Sequence, residues 1–217
     1  MYGVKKKGEI RVGMIRGDSV EYDLLIKWAR NFDCEGHYSC EIGVREGLGS
    51  KIIMDNVLNS YMHIGIDPYG DLVYQHTDNQ QDYQWDGMKQ GDAPTYPDSM
   101  RDTLLKDLLP YRNEGKFRLA NMTDKLFMTH PDHQDMTFAF VFFDGPHTTK
   151  DVLTEAVWFA NRSAPHSRFV FDDTNCYQMS TIAYALTFFG FQCHGMGDTK
   201  CMLAKVPPPK ITEEKND

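Results

Sequence analysis

The chain has 217 residues, 41% of them apolar, which suits one α/β domain with a full core and terminal additions. Its formal charge of −8 excludes a nucleic-acid surface, since phosphate binding needs a basic stripe. Five irregularly spaced cysteines, and no run of signal-peptide or membrane-spanning type, exclude a disulfide framework and a membrane anchor, so a soluble, cytoplasmic protein is expected. Residues 1–37 read as an N-terminal arm followed by a cap helix. Lys5-Lys6-Lys7 is a solvated part of the arm, 10–15 a short strand, and the helix runs from Asp18 or Ser19 to about Phe32. Its apolar side carries Val20, Leu24, Leu25, Trp28 and Phe32.

The main domain is expected over 38–206, and its first part reads as strand, glycine turn, helix and strand. Residues 40–44 are β-compatible and lead through Gly43, Gly47 and Gly49 into a helix capped by Ser50, with Ile52, Ile53, Val57 and Leu58 at helical spacing. Glycines there permit positive φ and close approach of backbone N–H groups to a ligand. Residues 62–66 form the second strand, ending at Asp67-Pro68. A carboxylate at that tip is placed for ribose hydroxyls, and Asp67 follows Gly47 by 20 positions. The stretch is therefore a nucleoside-binding half of an α/β sheet. It is not a dinucleotide fingerprint, because Ile52 stands where the last small residue is required.

Residues 70–98 break the pattern, with Tyr74, Tyr83, Trp85 and Tyr96 set among polar residues. A lid insertion over a substrate is expected there, against the alternative of an inert loop. Ser99 caps a helix burying Met100, Leu104, Leu105, Leu108 and Leu109, ended by Pro110. Strand 116–120, a short helix within 125–134, the apolar strand 137–143, helix 148–162, strand 168–171 and helix 176–189 follow. Segments 191–195 and 201–206 flank a Gly197-Asp198-Thr199 turn and close the sheet as a hairpin; 207–217 is a mobile tail. Alternating strands and helices with a final hairpin predict a seven-stranded, mostly parallel, Rossmann-like sheet with helices on both faces.

Two strand tips carry further acids, Asp144 in Asp144-Gly145-Pro146-His147 and the pair Asp172-Asp173. Neighbouring parallel strands lie roughly 5 Å apart, so the three carboxylates are expected to converge. Such a set calls for raised pKa values or a cation, and its all-oxygen chemistry suits Mg²⁺, with Mn²⁺ or Ca²⁺ as substitutes. The competing reading has Asp144 at a cofactor and Asp172 or Asp173 capping the next helix. His147 is a general base or a helix-entry hydrogen-bonding residue.

The spacing Glu41-x-Gly43-x-x-x-Gly47 resembles motif I of class I S-adenosylmethionine-dependent methyltransferases. The segment from Asp144-Gly145-Pro146-His147 to Asp172-Asp173 resembles the macrocin O-methyltransferase and cephalosporin-hydroxylase-like group, and the likeness covers about 38–206. It implies that Glu41, Gly43, Gly47, Gly49, Asp67 and Asp144 hold S-adenosylmethionine, with Asn121 and Met122 beside the adenine. It also implies that Asp144, Asp172 and Asp173 hold the metal. Pro146 departs from the pattern, because several relatives carry an acid there as the proposed base; this shifts the base to His147, acting beside Asp144. The function expected is divalent-metal-dependent O-methylation of a small-molecule hydroxyl on a sugar, phenol or secondary metabolite. The alternatives are metal-independent N- or O-methylation, or cofactor binding without catalysis. A homo-oligomer is compatible with the sequence.

Overall fold

The computed structural model describes residues 10–12, 15–17, 19–70, 78 and 96–206. The arm before residue 10, the tail 207–217 and the expected lid positions Tyr74, Tyr83 and Trp85 lie outside them. Strands β1 (Ile10–Val12) and β2 (Ile15–Gly17) pair as a small antiparallel ribbon ahead of helix α1 (Tyr22–Ala29). The helix starts later than Ser19 because Ser19 does not cap it: its hydroxyl is turned to Asp172. Glu21 occupies the N-cap position in a left-handed conformation (φ 55°). Tyr22, Leu25, Trp28 and Ala29 form the buried face of α1.

The main sheet contains β3 (Tyr38–Ile42), β4 (His63–Ile66), β5 (Phe117–Ala120), β6 (Phe138–Phe143), β7 (Ser163–Phe171), β8 (Phe191–Met196) and β9 (Cys201–Lys205). Their order is β5-β4-β3-β6-β7-β9-β8. All neighbours are parallel except at β9, which runs antiparallel to both β7 and β8. The expected seven-stranded α/β sheet with an antiparallel C-terminal hairpin is thus observed. The chain winds outward from β3 to β5 and then returns to β6 on the other side of β3. The crevice between β3 and β6 is therefore the switch point where such sheets bind ligands.

Register brings the strand tips level. Ile42 pairs with Ile66 and Phe143, Phe143 with Phe171, and Phe171 with Cys201. One residue beyond β3, β4, β6 and β7 lie Gly43, Asp67, Asp144 and Asp172. Because β9 is antiparallel, the residue preceding it, Lys200, arrives at that same rim. One core layer joins Phe140 and Phe142 to Leu25, Leu48, Ile52 and Leu104. The other joins Val141 and Phe143 to Phe127, Phe159 and Ile182. Phe143 stacks on Phe171 at 4.5 Å between ring centroids and meets Phe159 edge-on at 5.7 Å, a geometry favourable to aromatic pairs.

The helices are α2 (Leu48–Asn56), α3 (Asp98–Asp107), α4 (Leu109–Asn113), α5 (Asp124–Thr129), α6 (Thr149–Ala160) and α7 (Met179–Thr187). Several boundaries differ from expectation, and β7 begins at Ser163 rather than at 168. Gly47, at φ 91°, takes the N-cap of α2, and Ser50 lies fully buried in its first turn. Helix α2 ends at Asn56, so Val57 is extended and Leu58 is 47% exposed. Ser99 lies inside α3 rather than at its cap. The long helix expected there breaks at Leu108, and Pro110 sits in the first turn of α4, where its missing N–H costs no bond. Thr148 does cap α6, accepting from the Asp151 N–H.

Candidate functional site

A cavity of 730 Å³ opens over the β3–β6 switch point. Gly43, Gly47, Gly49, Asp67 and Asp144 line it together with Glu41, His147 and Asp173. The chain can turn here because of Gly43, whose φ is 81° and whose missing Cβ leaves room for the Asp144 carbonyl. That close approach fixes the floor of the cavity. Gly43→Ala is expected to cost about 3 kcal/mol by urea denaturation. Gly36→Ala, at the same φ of 81° but with nothing within 4 Å, should cost only about 1 kcal/mol.

Asp67 is 3% exposed and held from behind, its carboxylate accepting from the backbone N–H groups of Arg45 (2.9 Å) and Tyr69 (3.1 Å). Burial nevertheless leaves its pKa above the ordinary carboxylate value. The Tyr69 hydroxyl donates to the Arg45 carbonyl at 2.5 Å, bracing the loop. Asn121, turned so that its amide nitrogen meets acceptors, donates to the carbonyls of Pro68 (2.8 Å) and Asp67 (3.1 Å). It thus supports the Asp67 turn and, like Met122, does not line the cavity. Met122 packs instead against the core layer containing Phe127. Thr123, Asp124 and Lys125, the next three residues, are the ones that reach the wall.

Glu41 is buried beneath the glycine loop, with its carboxylate against the Ser50 hydroxyl. Burial pushes its pKa up to about 8. A chain of hydrogen bonds continues from it through the core: Ser50 Oγ to His63 Nε2 (3.0 Å), His63 Nδ1 to Ser39 Oγ (3.0 Å), and Ser39 Oγ to Ser60 Oγ (3.0 Å). Burial drives His63 down to about 3, so the imidazole is neutral and one nitrogen donates while the other accepts. No sequence signal marked His63, which occupies an ordinary apolar strand.

His147 is 4% exposed, with Nε2 lying 3.6 Å from Asp173 Oδ2 and 4.0 Å from Asp144 Oδ1. Burial lowers its pKa to about 4. Burial, reinforced by the neighbouring Asp172, raises Asp173 to about 6 and holds Asp144 well above its ordinary value. Two residues of the 70–98 segment fall within the described set at the cavity wall, Asp78 and Tyr96. Asp78 accepts from the N–H (3.0 Å) and hydroxyl (2.5 Å) of Thr149 at the start of α6. The Arg45 guanidinium lies 5.5 Å from the Tyr96 ring centroid.

The three aspartates do gather, but not as a metal's ligand set. Asp172 is fully buried and does not line the cavity. Its Oδ2 contacts both the Lys200 ammonium and the Ser19 hydroxyl, and its Oδ1 accepts from the Asp173 N–H at 2.8 Å. Lys200 Nζ also donates to Ser19 Oγ at 2.6 Å. The oxygen expected to bind Mg²⁺ is therefore committed to a cation of the chain's own. Among the described residues, no group of three His, Cys, Asp or Glu side chains is placed to hold a metal ion. The expected ligand set Asp144, Asp172 and Asp173 does not fit a divalent ion in this geometry. Lys200 was missed because no motif surrounds it.

Residues 40–174 match the family described as "Methyltransferase domain". The chain belongs to this methyltransferase-domain family. The match begins in β3 and ends just after Asp172-Asp173, so it contains both tip constellations, while Ser19 and Lys200 lie outside it. Solved structures share the fold at low identity. A protein from Corynebacterium glutamicum is 14% identical with a TM-score of 0.54, over 88% of this chain and 84% of that one. The O-methyltransferase TomG from Streptomyces achromogenes, involved in tomaymycin synthesis and solved with SAM, is 13% identical with a TM-score of 0.51. That alignment covers 85% of this chain and 78% of TomG. A putative methyltransferase from Streptococcus mutans, solved with SAH, is 8% identical with a TM-score of 0.50, over 88% of this chain and 99% of that one. No curated protein sequence matches. Among the described residues, no helix of this methyltransferase-domain protein is long and apolar enough to cross a membrane.

Proposed function

We propose that the protein is an S-adenosylmethionine-dependent O-methyltransferase acting on a small-molecule hydroxyl without a divalent metal. One observation carries this reading. The glycine loop and backbone-held Asp67 share a single 730 Å³ cavity with the His147–Asp173 pair. The residues fit the cofactor. Gly43 provides the cradle that a Cβ would fill, Asp67 directs a carboxylate to a ribose diol, and buried Glu41 faces the cationic end. Bound there, S-adenosylmethionine supplies an electrophilic methyl group on sulfur.

The chain's own residues then align the acceptor and receive a proton. An acceptor hydroxyl placed against Asp173 and His147 would give its proton to them, while the bound cofactor would supply the methyl group from sulfur and leave as S-adenosylhomocysteine. Asp173, at about 6, is poised near neutral pH, whereas His147 alone, at about 4, is a weak base. Because the two lie 3.6 Å apart, the proton goes to the pair rather than to either residue. Asp144 lies 4.0 Å from the same Nε2, at the edge of the pair. The burial of His147 and Asp67 fixes their side chains and so aligns what binds against them.

Calorimetry with S-adenosylmethionine and S-adenosylhomocysteine tests the reading. Both should bind, and Asp67→Ala should weaken both by roughly tenfold to a hundredfold, the loss expected of charge-assisted hydrogen bonds. Absence of binding by the wild-type protein would overturn it. A panel of sugars and phenols assayed in chelator then identifies the acceptor class.

A further inference from the structure

Lys200 belongs to none of the constellations visible in the sequence, yet it occupies the electrostatic centre of the rim. Its side chain is fully buried, an arrangement rare for lysine unless the ammonium is paired. The ammonium contacts Asp172 and donates to Ser19, and the rings of Phe142 and Tyr22 lie 5.2 and 5.6 Å from it. Its backbone is fixed as tightly. Glu21 accepts from the N–H groups of Asp198 (3.0 Å), Thr199 (2.8 Å) and Lys200 (3.2 Å), clamping the turn before β9 onto the start of α1. The ammonium is thus immobilised from both ends of the chain. Its charge favours the ionised forms of Glu41, Asp144 and Asp173, the acids that face the cavity.

We infer that Lys200 is the built-in cation of this site, a positioning residue that takes the place of a divalent ion by holding Asp172 and compensating the acids around the acceptor. The inference deepens the methyl-transfer reading and rests on it for the chemistry alone; the occupancy of Asp172 by an ammonium can be tested without turnover.

The test combines Mn²⁺ titration, melting curves and pH–rate profiles on the full chain. Wild type should show no Mn²⁺ binding by electron paramagnetic resonance, and neither millimolar Mn²⁺ nor EDTA should move its melting temperature. Lys200→Met strands a buried carboxylate, and its melting temperature should fall by roughly 10 °C. Added Mn²⁺ should restore part of that loss. The acid limb of its turnover profile should also move to higher pH, since Asp173 loses a favourable charge; a purely structural lysine would leave that limb in place. If Lys200→Met fails to fold, Asp172→Asn combined with Lys200→Met keeps the question open to measurement. That pair removes both charges together, so it should fold and ignore Mn²⁺. Mn²⁺ binding by wild type that disappears in Asp173→Asn would overturn the inference, as would turnover abolished by EDTA and recovered with Mn²⁺. Failure of S-adenosylmethionine to bind would overturn the proposed function and leave the metal titration readable.

Discussion

Asp173→Asn and His147→Gln are each expected to lower turnover by roughly 10²–10⁴-fold, the usual contribution of a positioned base, while S-adenosylmethionine still binds. The double variant should be little worse than either single one, because residues acting as a unit are not additive. The reason is geometric. His147 Nε2 and Asp173 Oδ2 lie 3.6 Å apart at the cavity wall, and removing either dismantles the same proton acceptor. The direction of the pH dependence follows from the raised carboxyl. Asp173 accepts a proton only when ionised, so wild-type turnover should fall as pH drops through about 6. In Asp173→Asn that limb should shift toward the low value of His147, about 4. A pH–rate profile for each variant checks this, and additive losses in the double variant would show that the two residues act separately.

The same substitution one position earlier should behave quite differently. Asp172→Asn is expected to destabilise the protein by about 3–5 kcal/mol, since it leaves the Lys200 ammonium buried without a counter-charge. Against a typical domain stability of about 5–15 kcal/mol, that is a large fraction of the total. Asp173→Asn should not destabilise the protein, because burial beside Asp172 already disfavours its ionised form. Its side chain is 31% exposed, and asparagine tolerates the left-handed backbone (φ 46°) found there. Urea denaturation of the two variants separates a structural acid from a chemical one within a single Asp-Asp dipeptide. Equal losses would refute the assignment.

The contrast shows what the sequence could and could not disclose. Strand tips were legible because apolar runs such as 138–143 end abruptly at an acid, and parallel register then levels those ends. Gly43 and Asp67 were legible for the same reason. The division of labour between Asp172 and Asp173 was not, since it depends on where Lys200 arrives. Lys200 reaches the rim from the start of an antiparallel strand, whereas the motifs all sit at the ends of parallel ones. The sequence puts the start of the first helix at Asp18 or Ser19, residue types common at helix starts. Here the Ser19 hydroxyl has a stronger acceptor in Asp172, and the helix begins three residues later. Similarly, Ser50 was read as a cap when a buried carboxylate, Glu41, claims it. In each case a local preference yields to a charged group brought close by tertiary structure.

The clasp between Ser19 and Lys200 spans 181 positions. At roughly 5–20 residues per second of ribosomal synthesis, the early serine waits on the order of ten seconds for its distant lysine. Until then the nascent molecule carries Asp172 without the ammonium that pairs it in the folded protein. A polypeptide terminated before residue 200 retains the matched residues 40–174 and lacks the ammonium that pairs Asp172. Completeness of translation is thereby written into the electrostatics of the finished enzyme.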